Sequence, residues 1–331
     1  MKEVGIILPK ADLVLSSVVG PFKLFNHVNA LLAEQGKDPF YNIRLVSTDQ
    51  VSSRKLYDGL FSIQSTCSVH DDLKFDLIII PSFSNSPLDV IPEHEELFAW
   101  LNHQHKTFGT EIASLCMGAF LLAPSGLLDN KVASTHWMGA ELFLKLFPTV
   151  KLQMEKIITD EAGIYTSGGA YSFLNLLLHL IEKFNGRSIA LYVSKVFEID
   201  VDRSNQSTFV IFSSQKDHGD EVIKEVQQYM EAKFADKISV EEIAQKFALS
   251  RRNFIRRFKN ATANTPLEYI QRVRVEAAKK LLETELLSIS EVMSKVGYKD
   301  EKAFRQIFKK HAGLSPINYK HKYGSRASLL I

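Results

Sequence analysis

The sequence predicts a protein of two domains, an N-terminal α/β domain built around a parallel sheet and a C-terminal domain that is entirely helical. Over the first two hundred residues, short β-branched apolar runs alternate with helical patterns, whereas the last hundred residues show helical patterns alone. A polar stretch rich in Ser, Asn, Asp and Gln lies between the two patterns. With 331 residues, 45% of them hydrophobic, the chain is long enough for two ordinary domains.

The start of the chain, its apolar runs and its cysteines argue against a secreted, a membrane-spanning or a zinc-binding protein. The start, MKEVGIILPKADLV, lacks the basic region and long apolar core of a signal peptide, and no run of eighteen apolar residues follows. Cys67 and Cys116 are the only cysteines, and no CxxC or Cys/His spacing suits zinc. We therefore expect a cytoplasmic protein without membrane contact, with reduced thiols and with no metal or cofactor.

The formal net charge of +2 conceals an uneven distribution. Residues 221–331 contain 22 Lys and Arg against 13 Asp and Glu, a charge of +9, and subtraction from the totals of 40 and 38 leaves 18 against 25, or −7, for the remainder. A basic module on an acidic body suggests a polyanionic partner such as nucleic acid. A solvated basic face without a partner is the alternative.

Continuous apolar runs predict the strands of the N-terminal domain, because strands buried on both faces of a parallel sheet lose the alternation of polar and apolar residues. The predicted strands are residues 4–9, 42–47, 76–82, 108–115 and 131–135. Two helices, at residues 171–184 and 186–197, are predicted to cover the sheet. We place this domain at 1–200, a linker at 201–220 and the helical domain at 221–323.

The C-terminal domain contains an internal repeat at a spacing of fifty residues. The pair Phe254 and Phe258 recurs as Phe304 and Phe308, and NTPLEY is echoed by LSPINY. Each repeat also begins with an S-x-x-E capping box, at 239–242 and at 288–291, which marks the start of a helix.

Each repeat predicts two helices joined by a short turn, and the turns lie at residues 248–250 and at Gly297-Tyr298. Such a pair, whose second helix presents Arg, Asn, Gln and Lys, is the helix-turn-helix arrangement, which we place at about 239–260 and 288–311. The second helices are predicted to turn the following side chains inward: Phe254, Ile255, Phe258, Phe304, Ile307 and Phe308. A plain helical bundle with a solvated face is the alternative.

The outward side chains of these second helices suit the reading of double-stranded DNA. Arg bonds guanine in a bidentate way, Asn and Gln do the same for adenine, and Lys mostly meets phosphate. The candidate DNA-binding residues are Ser250, Arg251, Arg252, Asn253, Arg256, Arg257, Lys299, Lys302, Arg305, Gln306 and Lys309. A helix at 267–285, with Ile270, Val273, Ala277 and Leu281 along one stripe, is predicted to hold the two units at a fixed separation.

These features make residues 221–323 resemble the DNA-binding domain of the AraC/XylS family of bacterial transcription regulators. The resemblance rests on the capping box at 239–242, on RVRVEAAKK at 272–280 and on the closing signature FRQIFKKHAGLSP at 304–316. Met293 departs from the small residue usual at its position, and residues 261–264 lack the usual Gly. The resemblance implies sequence-specific DNA binding, with RNA polymerase as a further partner.

In the N-terminal domain, residues 110–137 place Cys116 where an apolar strand meets a helix predicted to begin at Met117. The partial positive charge of a helix N-terminus favours a thiolate, although a buried cysteine is more often an inert apolar residue. The segment resembles the PfpI-like branch of the class I glutamine amidotransferase-like superfamily, with SLCMG at 114–118 on the nucleophile elbow, and GPF at 20–22 and TSG at 166–168 also fit. This resemblance implies a flavodoxin-like sheet.

The resemblance does not extend to a complete set of catalytic groups. Met117 stands where related proteases carry a His, and Ser16 and Ser17 stand where related hydratases carry an acidic residue. We therefore predict no catalytic residue and interpret the domain as a ligand-sensing or dimerising module. In open α/β sheets, ligands bind beyond the carboxyl ends of the strands. The candidate ligand-binding residues are Cys116, Met117, His136, Ser82 and Gly168.

The sequence thus predicts a DNA-binding transcription regulator, a homodimer controlled by a small-molecule effector. Two alternatives remain open. One is a cysteine-dependent amidase or hydratase that uses Cys116 and carries an accessory DNA-binding module. The other is a constitutive DNA-binding protein whose α/β domain serves only as a scaffold.

Overall fold

A computed structural model describes residues 1–49, 53–203, 205–213, 215–216 and 218–324. The chain divides into two compact units, Met1–Gln206 and Ser207–Ile331. Among the helices of these described ranges, none is both long enough and apolar enough to cross a membrane.

The N-terminal unit is built around a mixed sheet of seven strands in the described ranges. The strands of the whole unit, including those of two small two-stranded sheets, are β1 (Lys2–Leu8), β2 (Tyr41–Ser47), β3 (Ser53–Leu56), β4 (Phe61–Gln64), β5 (Cys67–Ser68), β6 (Leu77–Ile80), β7 (Glu111–Ser114), β8 (Val132–Ala133), β9 (Lys151–Leu152), β10 (Ile158–Glu161) and β11 (Ile164–Ser167). The main sheet has the order β10-β11-β7-β6-β1-β2-β5. Within it, β2-β1-β6-β7-β11 is the flavodoxin-like order, with every neighbouring pair parallel.

Four of the five predicted strand segments lie in this sheet, and the fifth does not. Residues 132–133 pair instead with β9 in a separate two-stranded sheet. The strand that pairs with β7 on this side of the sheet is β11, all four residues of which are buried. The sheet is also not wholly parallel, because Ala162 and Gly163 form a two-residue turn with positive φ that joins β10 and β11 as an antiparallel hairpin.

Helices cover both faces of the sheet. They are α1 (Ser16–Glu34), α2 (Pro87–Val90), α3 (Glu95–Phe108), α4 (Ala119–Leu122), α5 (Ala140–Leu146), α6 (Phe173–Asn185) and α7 (Arg187–Val196). Apolar residues of α1, α6 and α7 form one core cluster with the sheet, and those of α3, α4 and α5 form a second cluster. The two predicted helices correspond to α6 and α7.

The C-terminal unit is helical, as predicted. Its helices are α8 (Glu221–Ala232), α9 (Val240–Lys246), α10 (Arg251–Thr262), α11 (Pro266–Thr284), α12 (Ile289–Lys295), α13 (Glu301–Ala312) and α14 (Pro316–Tyr323). Both predicted capping boxes are present, at the starts of α9 and α12. A third, formed by Thr265 and Glu268, starts α11.

The buried stripe of α11 differs from the predicted one. Ile270 is buried, but Val273, Ala277 and Leu281 are only partly buried, and the fully buried positions of the second half include Ala278 and Leu282. The first half of α11 packs in one apolar cluster and the second half in another. A helix that is contacted from two directions buries two different faces, so a single stripe does not describe it.

Described residues of the stretch predicted to be a linker pack within one unit or the other, according to their position in the chain. Gln206, the last residue of the N-terminal unit, is 1% exposed. In the C-terminal unit, Phe212 packs against the cluster that contains Tyr269, and Asn264 Nδ2 donates to Gln215 Oε1 at 2.7 Å. The buried amide of Gln206 has hydrogen-bond partners, as buried polar groups in folded proteins do.

Candidate functional site

The first helix-turn-helix unit consists of α9, a turn of four residues at 247–250, and α10. Ala248 in the turn has φ +53°, and the hydroxyl of Ser250 caps α10 by accepting from Asn253 N at 3.3 Å. Phe254 and Phe258 are fully buried and fix α10 against the remainder of the unit. The turn and the aromatic anchors together orient the opposite face of α10 toward solvent.

The second unit repeats this construction with α12 and α13. Gly297 takes the position of Ala248 and has φ +82°, and Asp300 caps α13 by accepting from Ala303 N at 2.6 Å. Phe304 and Phe308 are again fully buried. The fifty-residue repeat in the sequence therefore corresponds to a repeat of turn, cap and anchor in space.

The outward faces of both second helices are cationic. On α10, Arg251, Arg252 and Arg256 are exposed, and on α13 the exposed side chains include Lys302, Arg305, Gln306 and Lys309. Lys299 is exposed in the turn before α13. Most of the sequence-predicted DNA-binding residues therefore share two solvent-facing surfaces.

Some of the predicted cations already have protein partners. Arg251 pairs with Glu241 at 2.5 Å and Arg305 with Glu301 at 2.5 Å, both pairs on the surface. The side-chain oxygen of Asn253 accepts from Arg256 Nη2 at 3.0 Å. Exposed pairs of this kind contribute little to stability, so these side chains remain available to other partners.

Arg257 is held differently. Its Nε and Nη2 atoms donate to the two carboxylate oxygens of Asp220 at 2.9 and 2.6 Å, a bidentate pair that joins α10 to the start of α8. Asp220 also caps α8 by accepting from Ile223 N. The sequence places Arg257 with the DNA-binding side chains, but its geometry is that of a structural tie.

The N-terminal unit contains a cavity of about 610 Å³ at the carboxyl ends of its central strands. Four of the predicted ligand-binding residues line it: Ser82, Cys116, Met117 and His136. Gly168 is absent from the described lining because it packs against the side chain of Gln206, where an added Cβ would lie 2.8 Å from the amide. The segment 84–87, Leu142 and Tyr171 are further wall residues that were not predicted from the sequence, since the run of Ser, Asn and Pro at 84–87 indicates only a loop.

Cys116 occupies a sharp turn between β7 and α4. It has φ +56°, its backbone N–H donates to Ser167 Oγ at 3.1 Å, and its carbonyl accepts from Thr135 Oγ1 at 2.9 Å. The turn packs closely against β6, because a Cβ on Gly118 would lie 2.5 Å from the carbonyl oxygen of Ile80. Strained backbone of this kind persists only where its surroundings hold it in place.

The helix predicted to begin at Met117 begins later, so Cys116 does not lie directly at its N-terminus. A 3₁₀ turn spans Cys116–Gly118 and α4 begins only at Ala119, lasting four residues. Burial raises the pKa of the Cys116 thiol, although hydrogen bonds with Ser82 and with the backbone of Ala170 and Met117 act in the opposite direction. The thiol form is therefore favoured at neutral pH.

His136 lies on the cavity wall as a neutral side chain. Burial lowers its pKa below the ordinary value, and Nδ1 accepts a hydrogen bond from Met138 N at 3.0 Å. A neutral imidazole and a neutral thiol lining one cavity differ from the ion pair that activates cysteine nucleophiles.

Comparison with known proteins decides the nature of the C-terminal unit. Residues 243–322, which include both turns and both second helices, match a helix-turn-helix domain family. The C-terminal unit is an AraC-type helix-turn-helix domain.

Two relatives of the chain are HTH-type transcriptional regulators. The HTH-type transcriptional regulator GbdR of Pseudomonas aeruginosa is 26% identical over 224 residues, which cover 65% of this chain and 61% of GbdR. The HTH-type transcriptional regulator CdhR of the same species is 25% identical over 307 residues, covering 91% of this chain and 85% of CdhR. The match to GbdR thus spans about three fifths of that regulator.

Solved structures show the fold of the α/β unit. An AraC family transcriptional regulator from Pseudomonas putida superposes with a TM-score of 0.51 at 19% identity, covering 60% of this chain and 100% of that one. A ThiJ/PfpI family protein from Pseudomonas syringae gives a TM-score of 0.50 at 16% identity, covering 75% and 90%. These similarities show a ThiJ/PfpI-like α/β fold for the N-terminal unit.

One side chain of the AraC-type domain departs from its sequence prediction. Ile255, expected to point inward with Phe254 and Phe258, is only partly buried and lines a surface concavity of about 580 Å³ on α10. The remaining lining is Arg251, Arg252, Arg256, Lys259 and Asn260. Lys259 and Asn260 are exposed side chains of this face that the sequence analysis omitted, although the helical spacing of Lys259 from Arg252 and Arg256 would have indicated it.

The tie between Asp220 and Arg257 predicts a pH-dependent stability of the AraC-type domain. The hydrogen bond from Arg257 lowers the pKa of the Asp220 carboxyl, so its contribution is present above the unfolded-state pKa and is lost as the pH falls through the lower folded-state pKa. Asp220→Asn keeps an oxygen for the α8 cap but removes the charge.

We expect the midpoint of urea unfolding to fall more steeply for the parent than for Asp220→Asn as the pH decreases from about 5 to about 2. The two proteins should converge at the acidic end. If the urea midpoints of the two proteins fall in parallel over this pH range, the charge of Asp220 contributes nothing to stability.

Proposed function

We propose that this chain is a sequence-specific transcription regulator that acts in the cytoplasm, that its AraC-type domain, at 221–323, reads double-stranded DNA, and that its N-terminal unit binds a small-molecule effector. The observation that carries the proposal is the pair of capped helices, α10 and α13, each anchored by two buried Phe rings and each presenting a cationic face. Two such helices held by α11 suit two successive major grooves.

The residue types divide the proposed contacts into base readers and backbone contacts. Arg252 and Gln306 lie exposed within the first two turns of α10 and α13, where a recognition helix meets base edges. Lys309 lies further along α13 and suits a phosphate. The exposed ion pairs of Arg251 and Arg305 are weak enough to be exchanged for contacts with DNA.

Substitution of these three residues tests the proposal. Arg252→Ala and Gln306→Ala are each expected to cost roughly 1–3 kcal/mol of specific binding and to relax preference at single base positions. Lys309→Ala is expected to weaken binding to all sequences and to reduce the slope of log K against log salt by about one. The measurement is salt-dependent binding of the full chain to duplexes selected from a random library and to an unselected duplex.

Lys233→Ala is the matched control, because Lys233 is an exposed cation of the same unit that lies outside both second helices. It should leave specific and unselected binding nearly unchanged. Equal losses on selected and unselected DNA for Arg252→Ala, Gln306→Ala and Lys309→Ala would contradict the assignment of readers.

Control by an effector is supported by the cavity and by the position of Gln206. The side chain of Gln206 donates to the carbonyl of Thr135 at 3.0 Å and accepts from Gly169 N at 2.8 Å. Thr135 and Gly169 directly precede the cavity residues His136 and Ala170. A ligand that displaces these walls would therefore disturb the segment from which the chain leaves the N-terminal unit.

A cavity-blocking variant tests ligand binding. Leu142 lines the cavity from α5, whereas Leu144 on the same helix is 36% exposed and lies outside the described lining. We expect some compound of a metabolite panel to raise the melting temperature of the parent and of Leu144→Trp, but not that of Leu142→Trp. If no compound distinguishes the two variants, the scaffold interpretation is favoured.

We propose that the α/β unit does not act as an enzyme, because the raised pKa of Cys116 and the lowered pKa of His136 leave both groups uncharged. We also propose a homodimer that contacts RNA polymerase, since regulators commonly read paired sites with two-fold symmetry. Size-exclusion chromatography with light scattering that shows a monomer at all concentrations would remove the dimer.

A further inference from the structure

The exposed face of α10 contains an aliphatic side chain among its cations. Arg252, Ile255, Arg256 and Lys259 follow one another at the i, i+3, i+4 and i+7 spacing, so they lie along one stripe of the helix. All four line the same surface concavity.

Packing in the apolar core does not account for the position of Ile255 on this face. The cluster around α10 is built from Phe254, Phe258 and neighbouring side chains, and Ile255 is not among the residues that pack against it in the described part of the chain. On α13, by contrast, Ile307 does pack against its core cluster. Ile255 therefore contributes little to the apolar core that stabilises this unit.

Comparison of the two repeats supports an outward position for the partly buried Ile255. At the fifty-residue spacing, Ile255 corresponds to Arg305, which is exposed, and Ile307 corresponds to Arg257, which is partly buried and paired with Asp220. In α10 the isoleucine comes first and the arginine follows two residues later, at 255 and 257. In α13 the arginine comes first and the isoleucine follows, at 305 and 307. The outward position carries a cation in one unit and an aliphatic group in the other.

In the major groove, the C5 methyl of thymine is the apolar group that base edges offer, and apolar side chains read it by contact. The flanking guanidinium groups of Arg252 and Arg256 suit guanine edges or phosphates, which would bring Ile255 to the floor of the groove. We propose that Ile255 determines specificity in the first helix-turn-helix unit by contacting a thymine methyl group. This inference rests on the proposed DNA-binding function.

The test uses a duplex recovered by selection with the full chain from a random library. Each thymine is replaced in turn by deoxyuridine, which removes the methyl group but keeps the hydrogen-bonding edge. We expect one replacement to weaken binding by the parent about 3- to 5-fold, which is the effect of one buried methyl group. The same replacement should have no effect on Ile255→Ala.

Ile317→Ala is the matched control, because Ile317 is 54% exposed on α14, outside both second helices. It should keep the full deoxyuridine penalty, and Ile255→Val should keep part of it. Circular dichroism should show that Ile255→Ala retains the parent helix content and melting temperature.

Two results would overturn the inference while leaving sequence-specific binding intact. One is a selected duplex in which no deoxyuridine replacement matters, and the other is a penalty that persists unchanged in Ile255→Ala. Failure to enrich any duplex would overturn the proposed function and this inference with it.

Discussion

Gly297→Ala is expected to destabilise the second helix-turn-helix unit by about 3 kcal/mol or more. Gly297 has φ +82°, and an added Cβ would lie 2.3 Å from the carbonyl oxygen of Ala235. Ala248 holds the equivalent turn of the first unit at φ +53°, so an alanine tolerates the left-handed conformation itself. The contact with backbone therefore accounts for most of the expected loss.

The measurement is urea unfolding of the full chain, together with binding to the selected duplex. Because α13 begins directly after this turn, we expect Gly297→Ala to lose the DNA contacts proposed for α13 as well as stability. Gly219→Ala is the control, since a Cβ there meets nothing within 4 Å and its effect should stay within about 0.5 kcal/mol. If Gly297→Ala is as stable as the parent, the turn accommodates the added Cβ with no loss in the free energy of unfolding.

Phe308→Ala is expected to cost roughly 3–5 kcal/mol, a large part of the stability of an ordinary domain. The ring is fully buried and lies 5.8 Å from the ring of Phe304 and 5.4 Å from that of Tyr319, between centroids. Its removal would leave a cavity beneath α13 that the rigid aromatic neighbours fill poorly.

Phe258→Ala should have a similar cost, but in the other apolar cluster, where the ring contacts Phe254 and Tyr269. Hydrogen exchange distinguishes the two variants, because Phe308→Ala should deprotect α12–α14 more than α8–α10, and Phe258→Ala should do the reverse. Leu267→Ala, at a residue 58% exposed, is the control. Uniform loss of protection in both variants would show that the clusters unfold as one.

The features that the sequence predicted well depend on neighbouring residues. The capping boxes at 239–242 and 288–291 are recognised because the two partners are three residues apart. The four central strands were recognised because each is a continuous apolar run. β11 was missed because its four residues include only two apolar side chains between Gly163 and Gly168.

The features that required the tertiary structure depend on residues far apart in the chain. The pairing of Arg257 with Asp220 spans 37 positions, and no local pattern separates a tied arginine from a free one. The cavity likewise combines the ends of several strands, so the wall formed by 84–87 could not be inferred from the elbow at Cys116.

The sequence by itself determined that this protein has an α/β unit followed by two capped, cationic helix-turn-helix units, because helical period, capping and charge are local properties of the chain. Only the tertiary structure decided that Arg257 is a structural tie, that Ile255 faces outward and that Cys116 remains a buried thiol. Orientation, pairing and burial are set by contacts between distant segments, which a one-dimensional pattern does not contain.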